Sequence, residues 1–231
     1  LRFPPIQPDE QPIEPSHLSA DGPLEMVPLA ALRRQFEVNV IGQVAVVQAF
    51  LPLLRAAGGR ILNVGGAAGR MTLPMYGALS ASKAALDSLS SALRMELKYQ
   101  GVIVSYIEPG AVRTDFFGKS AQATREQGYA GNPRTLEIYA KAIAASAKGL
   151  AASPASSVSE VVDAMAEALT ASQPAARYVV GRQARLGLRL LPKLPVGLRD
   201  RLLMSSLGLN SEVFKPGLPL SGYKRSSGGL G

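Results

Sequence analysis

An α/β fold built on a parallel sheet of three strands with flanking helices is predicted for this 231-residue chain. Two observations carry that expectation. Short aliphatic runs at residues 61–64, 102–107 and 177–180 are each followed closely by glycine, as buried strands are. Between them lie long stretches with apolar residues at three- and four-residue steps, the spacing of amphipathic helices. Strands alternating with helices of this length favour a parallel sheet over hairpins.

The elements follow in order. Five prolines in the first fifteen residues rule out helix or central strand there, so residues 1–28 read as a segment that wraps the surface or stays disordered. From Leu29 to Leu54 the residues Leu29, Leu32, Phe36, Val40, Val44, Val47, Leu51 and Leu54 mark one face of a long helix, ended by Gly58-Gly59. Arg60-Ile61-Leu62-Asn63-Val64 is the first strand, closed by Gly65-Gly66. A second helix over 79–99 shows an apolar face of Leu79, Leu86, Leu89, Leu93 and Leu97. The second strand, 102–107, ends at Glu108-Pro109-Gly110. Residues 115–157 are rich in Ala, Gly and Ser with weak helical periodicity. A third helix runs from Ser159 to Leu169 and a third strand from Arg177 to Gly181. Three parts result: residues 1–28, an α/β domain over 29–181, and a basic Leu-rich extension over 182–231.

Composition narrows the chemistry. Hydrophobic residues make up 47% and charged residues 18%, which suits a soluble globular protein. With no cysteine, disulfides, thiolate metal sites and Cys nucleophiles are excluded. His17 is the only histidine, so Ser-His-Asp catalysis and histidine-clustered metal sites are not expected. Of the net charge of +8, seven units lie beyond residue 181, so the body of the chain is nearly neutral and no nucleic-acid footprint is expected. The chain opens on Leu1 without an apolar leader, and a cytoplasmic location is the expectation.

Five motifs in register over roughly residues 22–208 resemble the short-chain dehydrogenase/reductase family, in particular its steroid- and retinol-type members. They are Phe36-Glu37-Val38-Asn39-Val40, Arg60-Ile61-Leu62-Asn63-Val64, Ser80-Ala81-Ser82-Lys83, Glu108-Pro109-Gly110 and Arg177-Tyr178-Val179-Val180-Gly181. The resemblance implies the second half of a doubly wound, Rossmann-like sheet, with NAD or NADP bound at the carboxyl ends of the strands. In such proteins a Tyr exchanges a proton with the alcohol/carbonyl pair while hydride moves to or from nicotinamide. A Lys one helical turn later favours the tyrosinate, a Ser holds the substrate oxygen, and an Asn in the long helix anchors a relay water.

Carried over by position, the Asn is Asn39 and the Lys is Lys83. The Tyr position is Leu79 and the Ser position is Gly66. Two of the four roles are therefore vacant. Tyr76 resembles a wall of the substrate pocket more than a replacement acid. Ser80, Ser82 and Thr72 carry hydroxyls far weaker as acids than a phenol. Lys83 can equally be read as an ordinary solvated helix lysine. For the nicotinamide end the resemblance implies Lys83 at the ribose and Pro109, Gly110, Val112 and Thr114 at the carboxamide, although Pro109-Gly110 also reads as a plain strand-ending turn. No glycine precedes Gly22, so the phosphate-binding glycine turn has no counterpart before that point, and the cofactor half of the fold is expected to be missing.

The expectation is a family relative that is inactive as it stands. The alternative is an active NAD(P)-dependent oxidoreductase of lipophilic alcohols or ketones with a changed mechanism or a missing N-terminal segment. Helices 29–57 and 79–99 are the pair through which the resemblance implies a homodimer. Residues 61–64 would form an exposed sheet edge, open to another chain or to the Pro-rich start. The basic stretch 182–209 reads as a cap over a greasy ligand, as weak membrane-surface contact, or as plain packing. Gly222-Tyr223-Lys224-Arg225-Ser226 faintly resembles a stretch of aldehyde dehydrogenases, whose Cys nucleophile has no counterpart here.

Overall fold

The computed structural model describes residues 21–114 and 133–214. The Pro-rich start as a cover for the sheet edge, and the segment 222–226, fall outside the described residues.

The first helix begins right after Pro28 and is continuous from residue 29 to 57 in three parts: α1 (Leu29–Phe36), a single π-helical turn (Glu37–Ile41) and α2 (Gly42–Ala57). It ends at Gly58 in the left-handed conformation, as the glycine pair predicts. Strand β1 (Arg60–Val64) follows, then a 3-10 turn (Ala67–Gly69), helix α3 (Gly77–Leu97) and strand β2 (Ile103–Pro109). After residue 132 come α4 (Pro133–Ala152), α5 (Val158–Thr170), β3 (Arg177–Val180), α6 (Arg182–Leu190) and α7 (Val196–Ser206).

The sheet is parallel in the order β1-β2-β3, with Asn63 opposite Tyr106 and Glu108 opposite Val179. Side chains alternate across it. Ile61 and Val104 pack with Val47 of α2 and Leu97 of α3 on one face. Leu62, Ile107 and Val180 pack with Val161, Ala164 and Ala168 of α5 on the other. This is a three-layer α/β arrangement, and among the described residues β1 is an edge strand.

Several expectations need correction. The weakly periodic stretch contains α4, which buries Ala142 and Leu150 against Met75, Tyr76, Leu207 and Leu209. Tyr76 is thus a core residue beneath α4 and the C-terminal helices. The buried face of α3 is built from Ala78, Ser80, Ser82, Leu86, Ser90 and Leu97, whereas Leu89 is exposed. Small side chains win that face because β1, β2 and the π turn approach α3 closely. Gly197 lies inside α7, within the basic Leu-rich stretch. Although no unbroken apolar run marks the sequence, the helix Leu29–Ala57 is long and apolar enough to cross a membrane by length and composition. Val47, Leu51 and Leu54 pack against the sheet, which accounts for one side of that apolarity. The opposite side leaves Ile41, Val46, Phe50 and Leu53 exposed.

Candidate active site

The carboxyl ends of β1 and β2 meet the start of α3, and the predicted residues gather around that junction. Asn39 sits in the π turn, a distortion that redirects one side chain out of the helical ladder. Its Nδ2 donates to Ser82 Oγ at 3.0 Å, and Ser82 Oγ donates to the Leu79 carbonyl at 2.8 Å. The Asn39 amide is therefore tied to α3 next to the position a phenol would occupy. Sequence reasoning set Ser82 aside, yet it is fully buried and is the side chain that joins Asn39 to the site.

Lys83 lies one turn after Leu79 on the same face of α3. Its Nζ donates to the Val64 carbonyl at 3.4 Å, and burial holds its ammonium below the usual lysine range. Asp87, one turn further on, pairs with Arg177, so it does not serve Lys83. Across the junction Gly66 opens the 3-10 turn in extended conformation, where an added Cβ would have only the Pro109 carbonyl, at 3.7 Å, nearby. The turn rests on α3 so closely that a methyl at Gly69 would stand 2.8 Å from the Lys83 carbonyl carbon. There is room for a hydroxyl side chain at residue 66, but residue 66 is glycine and residue 79 leucine.

A phenol does lie close by. Tyr106 of β2 is 3% exposed and donates its hydroxyl to the Lys83 carbonyl at 3.1 Å. Burial, followed by the nearby Asp87 and Glu108 carboxylates, pushes its pKa far above the ordinary tyrosine range and so weakens it as an acid, outweighing the Gly66 backbone N–H and Arg177. With its hydroxyl already donated to a backbone carbonyl and its acidity weakened, Tyr106 is a poorer proton donor than an ordinary phenol.

Beneath the junction an ion network spans four elements. Glu108 is 0% exposed and accepts two bonds from Arg70, both at 2.7 Å, and one from Arg177 Nη1 at 2.9 Å. Arg177 also bonds Asp87 of α3 and lies 5.0 Å over the Tyr106 ring. Burial opposes its charge, but the bonds to Asp87 and Glu108 prevail and hold the guanidinium more firmly protonated. From the sequence, Glu108 and Arg177 stood only as members of motifs and Arg70 and Asp87 not at all, because the four residues are far apart along the chain.

At the nicotinamide end, Gly110 N–H is bonded to Val180 O, and Arg113 and Ala111 bond Ser156 on either side of Val112. Those bonds hold Val112 in place and leave its own backbone groups out of the bridge. With Lys83, Pro109 and Thr114, these are the positions that the resemblance assigns to the carboxamide and ribose of a nicotinamide cofactor. No glycine-rich turn leading directly into a helix N-terminus, suited to a pyrophosphate, occurs among them. Nor do they hold a group of three or more metal-ligating side chains.

Comparison with known proteins is consistent with this geometry. A short chain dehydrogenase family model matches residues 17–125. The NADPH-dependent 3-dehydrocapnine reductase of Ornithobacterium rhinotracheale is 34% identical over 195 residues, covering 80% of this chain and 66% of that protein. Human 11-beta-hydroxysteroid dehydrogenase type 2 is 36% identical over 191 residues, 78% of this chain and 46% of its own length. Mouse retinol dehydrogenase 7 is 33% identical over 177 residues, 72% and 54% respectively. A solved short chain dehydrogenase from Burkholderia cenocepacia, in complex with NADP, superposes with a TM-score of 0.58 at 29% identity, over 81% of this chain and 65% of that one. The chain thus spans about half to two thirds of the length of the relatives it matches. On the five motifs, the sheet order and these similarities together, the chain belongs to the short-chain dehydrogenase/reductase family, among its steroid- and retinol-dehydrogenase-like members.

Proposed function

We propose that this chain is a degenerate member of the family, one that binds rather than turns over, and that does not carry out hydride-transfer chemistry as it stands. The observation that carries the reading is the pair of vacancies flanking Lys83: Leu79 has no titratable group and Gly66 no side chain. A positioned acid typically contributes about 10²–10⁴-fold to such a step, and the buried Tyr106, its hydroxyl donated to the Lys83 carbonyl, is a weakened acid. When bound, a nicotinamide would supply the hydride, and Lys83, Pro109, Gly110, Val112 and Thr114 would hold its ribose and carboxamide. The names of the relatives, a steroid dehydrogenase and a retinol dehydrogenase, support a lipophilic alcohol or ketone as the ligand class.

The test is direct. Isothermal titration of the 231-residue chain with NAD, NADH, NADP and NADPH should show no micromolar binding, and NAD(P)H oxidation with lipophilic ketones should stay at background. Micromolar affinity together with turnover abolished by Lys83→Ala would establish an active oxidoreductase with a changed acid instead.

The same reading includes self-association. The exposed apolar row Ile41, Val46, Phe50 and Leu53 on α2, with Met95 on α3, supports pairing of two copies through these helices.

A further inference from the structure

With no phenol to serve, the Lys83 amine is itself the reactive group left at the head of the site. Three features bear on what it can do. Lys83 Nζ has one hydrogen bond among the described residues, a long one of 3.4 Å to the Val64 carbonyl. The carboxylates that could neutralise it are engaged elsewhere, Asp87 by Arg177 and Glu108 by Arg70 and Arg177. Its neighbours at the two vacated positions are the branched alkyl group of Leu79, one turn before it, and Gly66, which offers no side chain and leaves space.

We propose that Lys83 is an amine nucleophile that captures lipophilic aldehydes or ketones as an imine. The proposal rests on the reading that this site no longer performs hydride transfer, and names the chemical class it takes instead. The step is balanced without any oxidant or reductant. The nitrogen lone pair of the neutral amine forms the C–N bond while the carbonyl π pair moves to oxygen. A proton passes from nitrogen to oxygen to give a carbinolamine, and loss of water then leaves the C=N bond. The depressed basicity of Lys83 raises the share of neutral amine available for the first step. The open position at residue 66 and the alkyl surface at residue 79 favour an apolar carbonyl compound over a charged one.

The experiment treats the full chain with octanal and sodium cyanoborohydride at neutral pH and maps the alkylated lysines by peptide mass spectrometry. Lys83 should be labelled about tenfold faster than Lys98, Lys141, Lys148 or Lys193, given the size of shift that desolvation can impose on an amine. Label at that peptide should be lost in Lys83→Arg. It should fall in Leu79→Tyr, where a phenol one turn away favours the ammonium form. Labelling of Lys83 no faster than of Lys98, Lys141, Lys148 and Lys193 in the unaltered chain overturns the proposal, and that comparison needs no variant to fold. NAD(P)H oxidation measured on the same preparation separates the two readings. Turnover there sinks the degenerate-enzyme reading, whereas absence of both turnover and selective label sinks only the imine.

Discussion

Gly65 and Tyr106 fit each other so tightly that a single added carbon would not be accommodated: a Cβ at Gly65 would stand 1.7 Å from the Tyr106 hydroxyl and 2.0 Å from its ring. The glycine that closes β1 is therefore the space into which the phenol of β2 extends. Gly65→Ala is expected to cost about 3 kcal/mol or more through overpacking. Tyr106→Leu, which withdraws the ring, should recover most of that loss in the double variant. Urea denaturation of the four proteins in the cycle checks this, and additive losses would show that the two positions do not share the space.

Rebuilding the vacant chemistry is the second test. Gly66→Ser has room, and Leu79→Tyr lies on the same face as Lys83. The double variant should fold yet remain inactive with lipophilic alcohols and ketones. Turnover should appear only when a glycine-rich strand–turn–helix unit is fused upstream, and only in the rebuilt variant, as read by NAD(P)H absorbance.

Glu108 is expected to be the most sensitive charge in the protein. Glu108→Gln leaves the partly exposed Arg70 and Arg177 without the buried anion they share, a loss of about 3 kcal/mol. Thermal melting should show the drop. Arg199→Ala, which removes a surface pair of 3.5 Å, should shift it by less than about 1 kcal/mol.

Self-association should depend on the exposed face of α2. Light scattering over a dilution series is expected to report a dimer or larger species for the unaltered chain. Phe50→Glu, at a position that is 56% exposed and so costs little in the monomer fold, should shift it to monomer. A concentration-independent monomer in the unaltered chain would contradict the pairing.

The capping box of α5 gives a pH signature. Ser157 Oγ accepts from Glu160 N–H while the Glu160 carboxylate accepts from Ser157 N–H. That backbone bond, with help from the Ser156 and Ser157 hydroxyls, holds the carboxyl below the usual glutamate range. A group depressed on folding stabilises the native state above its unfolded pKa, and the contribution fades as pH falls through the lower folded value. Denaturation midpoints of Glu160→Gln and the unaltered chain should thus differ at pH 6 and converge in stronger acid.

Much of this architecture could be read from spacing. The strands at residues 61, 104 and 178 are short apolar runs, and the vacancies at Gly66 and Leu79 follow from counting back from Lys83. What escaped are features whose partners lie far along the chain. Ser82 looks like a surface residue in a helix until Asn39, 43 residues earlier, bonds it. Helix α4 has weak periodicity because it packs small residues, Ala142 above all, against Met75 and Leu207. Glu108 looked like part of a turn motif, and only the fold brings Arg70 and Arg177 to it.

The π turn at Glu37–Ile41 also acts as a phase shifter. An α-helix turns about 100° per residue, so one extra residue in a turn sets the angle between what comes before and what comes after. Upstream of it, Ala31 and Leu32 point at Val27 and Ala78; downstream, Val47 and Leu54 point at the sheet. The wide turn spends five residues on about the rotation that an α turn completes in four, so it absorbs the extra residue. Were the same residues wound as regular α-helix, α2 would rotate by about 100° relative to α1, carrying Val47 away from the strands and Val46 toward them. One wide turn thus decides which side of α2 is core and which faces outward.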